Sequence, residues 1–278
     1  MTGSPPSTLG SRKMPLWTAL AALLLGVIAG TFGEFLVAAV GSAFGSSIAN
    51  PTTAVEVAES IAFDLGFVGA AIYLLLLYRS TTLREIGFRR MRIRTAVGVV
   101  VLAAAGFYLA SALYADLFHL TGTDRLPQQL SASKTNIPDG IATAVFVCVL
   151  APIFEEFFFR GFLFGVLRQI PVRLGNVKLG PWIAAVIVAI VFGAAHLGSA
   201  SSTQFLIPLG IFGFVLCIVR WRTGSLYPCI ALHALNNAVA LGANEFGWGP
   251  APIVALTAAS LAIALALTLP LSRRTPSD

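Results

Sequence analysis

The sequence contains few charged residues. Only 11% of its 278 residues are Asp, Glu, Lys or Arg, whereas a soluble domain carries about 25%. By contrast, 57% are hydrophobic, in blocks near the ~20 residues that cross a bilayer. The scarcity of charge excludes an ordinary water-soluble domain. The composition predicts an all-α, polytopic membrane protein.

Cysteine is scarce and nucleotide-binding motifs are missing. The three cysteines, Cys148, Cys217 and Cys229, lie in apolar segments without CxxC spacing, so they predict packing residues rather than disulfides. The sequence has no glycine-rich phosphate loop, no dinucleotide fingerprint and no HExxH motif. The net charge of +6 does not indicate nucleic-acid binding, because the basic residues stand in short loops between apolar blocks.

Eight apolar blocks predict eight membrane spans. Their approximate bounds are 15–42, 61–78, 96–118, 140–168, 181–198, 204–221, 225–243 and 250–271. Residues 14–271 then form one transmembrane helical domain, between a tail at 1–13 predicted to be disordered and a polar tail at 272–278. Of the 18 basic residues, only Arg125, Lys134 and Arg160 do not fall on one side of the predicted topology. This bias predicts that both termini are cytoplasmic.

Polar side chains occur inside three of the predicted spans. Ionisable groups at membrane depth are costly, so their presence indicates a functional site. At a rise of about 1.5 Å per residue, the three sets lie at similar depths toward the middle of the membrane. They are Glu155, Glu156 and Arg160 in span four, His196 in span five, and His233 with Asn237 in span seven.

The two acids of span four differ in their expected partners. Glu156 and Arg160 stand four residues apart and can form an ion pair on one helix face. Glu155 points about 100° away from Glu156 and has no partner in its own helix, which suits a proton-transfer group. In span seven, the spacing leaves open whether Asn236 or Asn237 points inward.

Two further acids, Glu34 and Asp64, lie in the outer halves of spans one and two. Asp64 follows the predicted start of its span closely, so we expect it to reach interfacial water. We expect neither acid to be catalytic.

Three short motifs follow one another on separate spans. They are Glu155-Glu156-Phe-Phe-Phe-Arg160, Phe192-Gly-Ala-Ala-His196 and His233-Ala-Leu-Asn-Asn237. In order and spacing they resemble the EExxxR, FxxxH and HxxxN motifs of the CPBP family, the CAAX proteases and bacteriocin-processing proteins. The resemblance covers residues 140–240. It implies an eight-helix intramembrane endopeptidase of a prokaryotic cytoplasmic membrane, whose substrate is a peptide or membrane-associated protein, lipidated in some members.

The resemblance allows two mechanisms. In the favoured one no metal is needed: Glu155 and His196 activate a water, and His233 and Asn237 donate hydrogen bonds to the oxyanion. The supporting residues are Glu156, Arg160, Phe192 and Asn236. In the alternative, His196, His233 and Glu155 bind zinc, which activates the water.

A transporter is the alternative from another functional class. Intramembrane carboxylates and imidazoles also form the proton relays of coupled carriers. Many carriers contain inverted repeats, and this sequence has no recognisable repeat. A third interpretation is an inactive member of the family that binds a partner helix.

Overall fold

The computed structural model describes residues 14–78, 82–120, 136–197 and 205–272. The predicted disordered tail at 1–13 and residues 273–278 lie outside the described residues. Within the described ranges, six helices are long and apolar enough to cross a membrane. The predicted all-α, polytopic membrane fold is confirmed. The count of eight spans and the cytoplasmic termini stay predictions.

Four helices form the first half of the chain. They are α1 (Trp17–Ala43), α2 (Thr53–Tyr78), the short α3 (Leu83–Ile86) and α4 (Ile93–Leu117). The prediction that the second span begins near residue 61 is wrong. The helix starts at Thr53 and continues through Glu56 and Glu59, whose charges interrupt the hydrophobic pattern.

The described residues of the second half form five helices and one small hairpin. The helices are α5 (Ile137–Leu167), α6 (Gly180–Ala195), α7 (Leu206–Thr223), α8 (Tyr227–Val239) and α9 (Pro250–Thr268). The hairpin consists of β1 (Arg173–Leu174) and β2 (Val177–Lys178). The antiparallel hairpin lies in a segment predicted as a loop. With 16 residues α6 is shorter than the six apolar helices, and α8 continues as a π-helical turn at Ala240–Glu245.

The central helix α5 adopts π-helical hydrogen bonding in two separate segments. Two π-helical segments, Phe146–Leu150 and Glu156–Leu163, flank one short α-helical segment, Ala151–Glu155. Such π-helical turns occur frequently at functional sites. The boundary between the second and third of these segments falls between the two acids, which places Glu155 and Glu156 in different helical geometries.

The helices α1 and α2 form a close pair that rests on small residues. A Cβ atom added to Gly66 would overlap the backbone nitrogen of Gly30. Glycine is therefore required at this crossing, because the two backbones touch without side chains between them. This contact fixes the spacing of the residues that follow it on both helices.

The segment around α3 packs against the helix bundle through two buried side chains. Ile86 and Phe88 are buried, and a Cβ on Gly161 of α5 would lie 2.7 Å from the Ile86 side chain. The buried guanidinium of Arg220 donates hydrogen bonds to the carbonyls of Glu85 and Ile86, at 3.0 and 2.8 Å. These contacts attach the segment to α5 and α7.

Candidate active site

A cavity of about 530 Å³ lies between the α1–α2 pair and the helices that carry the three motifs. Aliphatic and aromatic side chains form most of its wall. The predicted site residues that line it are Glu155, Phe192, His196, His233, Asn236 and Asn237. The structure therefore brings the three motifs to one enclosed space. Glu156 and Arg160 lie behind this wall.

Glu156 and Arg160 form a fully buried ion pair. Both side chains have 0% of their surface exposed, and Nη1 of Arg160 lies 2.8 Å from Oε1 of Glu156. Arg160 also donates to the carbonyl of Gly213 at 3.3 Å, and its guanidinium lies 4.3 Å from the centre of the Phe192 ring. The pair expected from the i, i+4 spacing is present, and it links α5 to α6 and α7.

His233 lies between the two acids of α5. Its Nδ1 is 2.8 Å from Oε1 of Glu156, and its Nε2 is 3.9 Å from Oε2 of Glu155. A carboxylate only accepts hydrogen bonds, so Nδ1 carries the proton that is donated to Glu156. Nε2 consequently faces Glu155. Sequence spacing could not reveal this contact, because it joins helices 77 residues apart.

His196 is held in a similar way by a backbone carbonyl. It follows the last residue of α6, and its Nδ1 donates to the carbonyl oxygen of Phe192 at 2.8 Å. The two rings of this motif also contact each other, with centroids 4.8 Å apart. The bond through Nδ1 and the ring contact orient the imidazole of His196 relative to α6.

The two asparagines of α8 both line the cavity, which answers the question that spacing left open. The Nδ2 amide of Asn237 donates to the carbonyl of Val147 at 2.7 Å, in the first π-helical segment of α5. Oδ1 of Asn236 accepts a hydrogen bond from the hydroxyl of Tyr108 at 3.4 Å. Tyr108, on α4, is a contact that sequence reasoning missed because it lies outside the motifs.

Asp64 and Glu34 also line the cavity, so the expectation that Asp64 reaches interfacial water is wrong. The physical reason is that α2 begins at Thr53, eight residues before the predicted start of the span. Measured from Thr53, Asp64 lies about 16 Å along the helix, at a rise of about 1.5 Å per residue. Measured from residue 61, it would lie only about 4 Å in. The longer helix brings Asp64 to the depth of Glu155.

The described residues do not form an evident metal centre. Within the described ranges, no group of three His, Cys, Asp or Glu side chains is arranged to hold a metal ion. The imidazoles of His196 and His233 each donate through Nδ1 to an oxygen, as metal-bound histidines commonly do. The zinc-dependent alternative, with His196, His233 and Glu155 as the three ligands, stays a prediction.

Comparisons with known proteins agree with the three motifs. Residues 137–239 match the family model described as Type II CAAX prenyl endopeptidase Rce1-like, and this stretch contains all three motifs. Over this stretch the match agrees with the resemblance that the motifs indicate. The chain is also 30% identical, over 141 residues, to an Escherichia coli protein described as "Uncharacterized 24.3 kDa protein". That alignment covers 49% of this chain and 60% of the relative. No solved structure matches the chain.

Proposed function

We propose, from the membership of residues 137–239 in the Rce1-like family of type II CAAX prenyl endopeptidases, that the chain is an intramembrane endopeptidase. The observation that carries this proposal is the shared cavity. It brings together two oriented imidazoles, an amide and an acid, one oxygen of which has no hydrogen-bond partner among the described residues. These are the groups that water-mediated hydrolysis of a peptide bond requires.

Glu155 is the proposed general base. Its Oε2 is buried and has no hydrogen-bond partner among the described residues, and it faces His233. A water held by Glu155 and by the imidazole of His196 gives a proton to Glu155 as the water oxygen attacks the substrate carbonyl carbon. The same proton then passes to the nitrogen of the leaving amine when the C–N bond breaks. Glu155 is thereby regenerated as a carboxylate.

His233 and Asn237 are the proposed donors to the oxyanion. The amide of Asn237 has two N–H groups, of which one is bonded to the Val147 carbonyl, and the other remains for the substrate. His233 donates from Nε2 when both ring nitrogens carry protons, and the carboxylates of Glu155 and Glu156 balance that charge. Removing one oxyanion donor typically raises the barrier by about 3–4 kcal/mol.

Glu156 and Arg160 are proposed to orient rather than to react. Glu156 fixes the tautomer of His233 through its Nδ1 proton, and Arg160 fixes Glu156. Phe192 supports Arg160 and His233. Its ring lies under the guanidinium of Arg160, and the centre of its ring is 5.9 Å from the centre of the His233 ring. Together these residues hold the imidazole in one orientation toward Glu155.

The proposed substrate is a peptide or a membrane-associated protein. The apolar part of the cavity wall, which includes Leu23, Val27, Phe63 and Phe67, suits an apolar segment or a lipid group. We propose the prokaryotic cytoplasmic membrane as its location, which the similarity to an Escherichia coli protein supports. Among the described residues, no group of three ligands supports the zinc-dependent alternative. No step is therefore assigned to a metal.

The proposal is tested by comparing peptide fragments of membrane proteins from cells that produce the wild type or the Glu155→Gln variant. We expect a set of fragments that only the wild type generates. Asp116→Asn is the matched control, because this acid is exposed at the end of α4, away from the cavity. Identical fragments in wild-type and Glu155→Gln cells would contradict proteolysis, and transport without cleavage would favour the carrier.

A further inference from the structure

The cavity has a second polar wall, which belongs to the α1–α2 pair. Glu34 on α1 and Ser60 and Asp64 on α2 line it, across from Glu155. Neither helix lies in the stretch that matches the endopeptidase family, residues 137–239. The acids of this wall therefore have no role in the mechanism proposed above.

Within the described ranges, no basic side chain of Lys or Arg lines the cavity beside the acids of this wall. Asp64 feels the charges of both Glu155 and Glu34, and its Oδ2 is buried without a hydrogen-bond partner among the described residues. Oε2 of Glu155 is likewise buried without a hydrogen-bond partner among the described residues. A buried carboxylate oxygen with no donor is costly, and a cationic donor removes that cost most effectively.

The position of the two acids is fixed by the helix crossing. Glu34 stands one turn after Gly30, and Asp64 stands two residues before Gly66, where the two backbones touch. Because no side chain separates the helices there, α1 and α2 cannot move apart without losing this contact. The two carboxyl groups therefore face the cavity as a preformed pair.

We propose that Glu34 and Asp64 form a cation-binding subsite beside Glu155, which takes a basic side chain of the substrate peptide. The subsite rests on the proposed function for its substrate, but its charge does not depend on catalysis. Residues 137–239 hold the groups proposed for hydrolysis, while the α1–α2 pair selects peptides with a Lys or Arg near the bond that is cut. The apolar wall takes the remainder of the peptide.

The first experiment measures the charge preference of the subsite without any substrate. A Ser60→Cys variant places a thiol on this wall, and it is modified with a cationic and an anionic methanethiosulfonate reagent of similar size. The three native cysteines are buried, and the protein without Ser60→Cys gives the background. We expect the cationic reagent to react at least about tenfold faster, since acidic clefts concentrate cations by that factor or more.

Removing the acids should abolish this preference. Glu34→Gln combined with Asp64→Asn, in the Ser60→Cys protein, should bring the ratio of the two rates close to that of a free thiol. Asp64→Glu, which keeps the charge, should retain the preference and controls for folding. Asp116→Asn should leave it unchanged. If the ratio is the same with and without the two acids, the subsite does not exist.

The second experiment tests the substrate. Two membrane-anchored peptides that differ only in a Lys or a norleucine beside the cleaved bond are incubated with the wild type. We expect a lower KM for the Lys peptide, and we expect Glu34→Gln with Asp64→Asn to remove the difference. Equal KM values in the wild type would overturn the assignment to a basic side chain. If neither peptide is cleaved while the labelling preference is present, the proposed protease function fails and the cation subsite stands.

Discussion

Replacing Glu156 by Gln should destabilise the protein as well as inactivate it. Gln has nearly the size of Glu and can still accept a hydrogen bond, so the main change is the loss of the negative charge. Arg160 has 0% exposure and would keep its charge without a carboxylate, beside neutral groups such as the Gly213 carbonyl and the Phe192 ring. Breaking one side of such a buried pair typically costs about 3–5 kcal/mol.

A second substitution separates charge from packing. In Glu156→Gln with Arg160→Met, no charge is left unpaired, and Met fills part of the space of Arg. We expect the double variant to recover a large part of the stability, although His233 still lacks its carboxylate. The sum of the single effects should therefore exceed the effect of the double variant, as for residues that contact each other.

The assay is thermal unfolding in detergent, with expression level and cleavage measured on the same preparations. Glu155→Gln is the matched control, because Oε2 of Glu155 makes no hydrogen bond within the described residues. It should melt near the wild-type temperature and show no turnover. A double variant no more stable than Glu156→Gln would refute the charge reasoning. If Glu156→Gln were stable but inactive and Glu155→Gln remained active, the roles of the two acids would be exchanged.

Three further predictions concern other parts of the molecule. Gly66→Ala should destabilise the α1–α2 pair by about 1–3 kcal/mol, because the added Cβ meets the backbone of Gly30. Gly69→Ala is the control and should have little effect, because nothing lies within 4 Å of its Cβ. Thermal unfolding compares the stability of the two variants. Arg220→Met should loosen the α3 segment by removing two hydrogen bonds to backbone carbonyls, and proteolysis after Ile86 should become faster. Dialysis against a strong zinc chelator should leave cleavage unchanged, and recovery of lost activity by added zinc would support the metal mechanism instead.

The sequence predicted the parts of the site that depend on local spacing. Glu156 and Arg160 stand four positions apart, and this spacing alone predicts the ion pair that the structure contains at 2.8 Å. The sequence did not predict that His233 lies between Glu155 and Glu156. Helix periodicity carries no information about which faces of distant helices meet. The contact of Asn237 with Val147 escaped for the same reason.

The errors in the fold arise where charge and hydropathy disagree with helix geometry. Glu56 and Glu59 made the start of α2 look like a loop, and this shortened helix placed Asp64 too close to the surface. The π-helical segments of α5 leave no mark in the hydrophobic pattern, since they change hydrogen bonding by one residue per turn. The docking of Ile86 and Phe88 was hidden because basic residues surround them in the sequence.

The arrangement around α5 sets an order for assembly during synthesis. The Glu156–Arg160 pair joins residues four apart, so it can form as soon as this helix enters the membrane. The bonds from His233 to Glu156 and from Asn237 to Val147 span 77 and 90 residues, and they must wait until α8 has been made. A nascent chain that ends before α8 therefore has Glu156 already paired with Arg160, while Glu155 still lacks its later neighbour His233. Arg160 thus balances the charge of Glu156 within α5 before α8 completes the site.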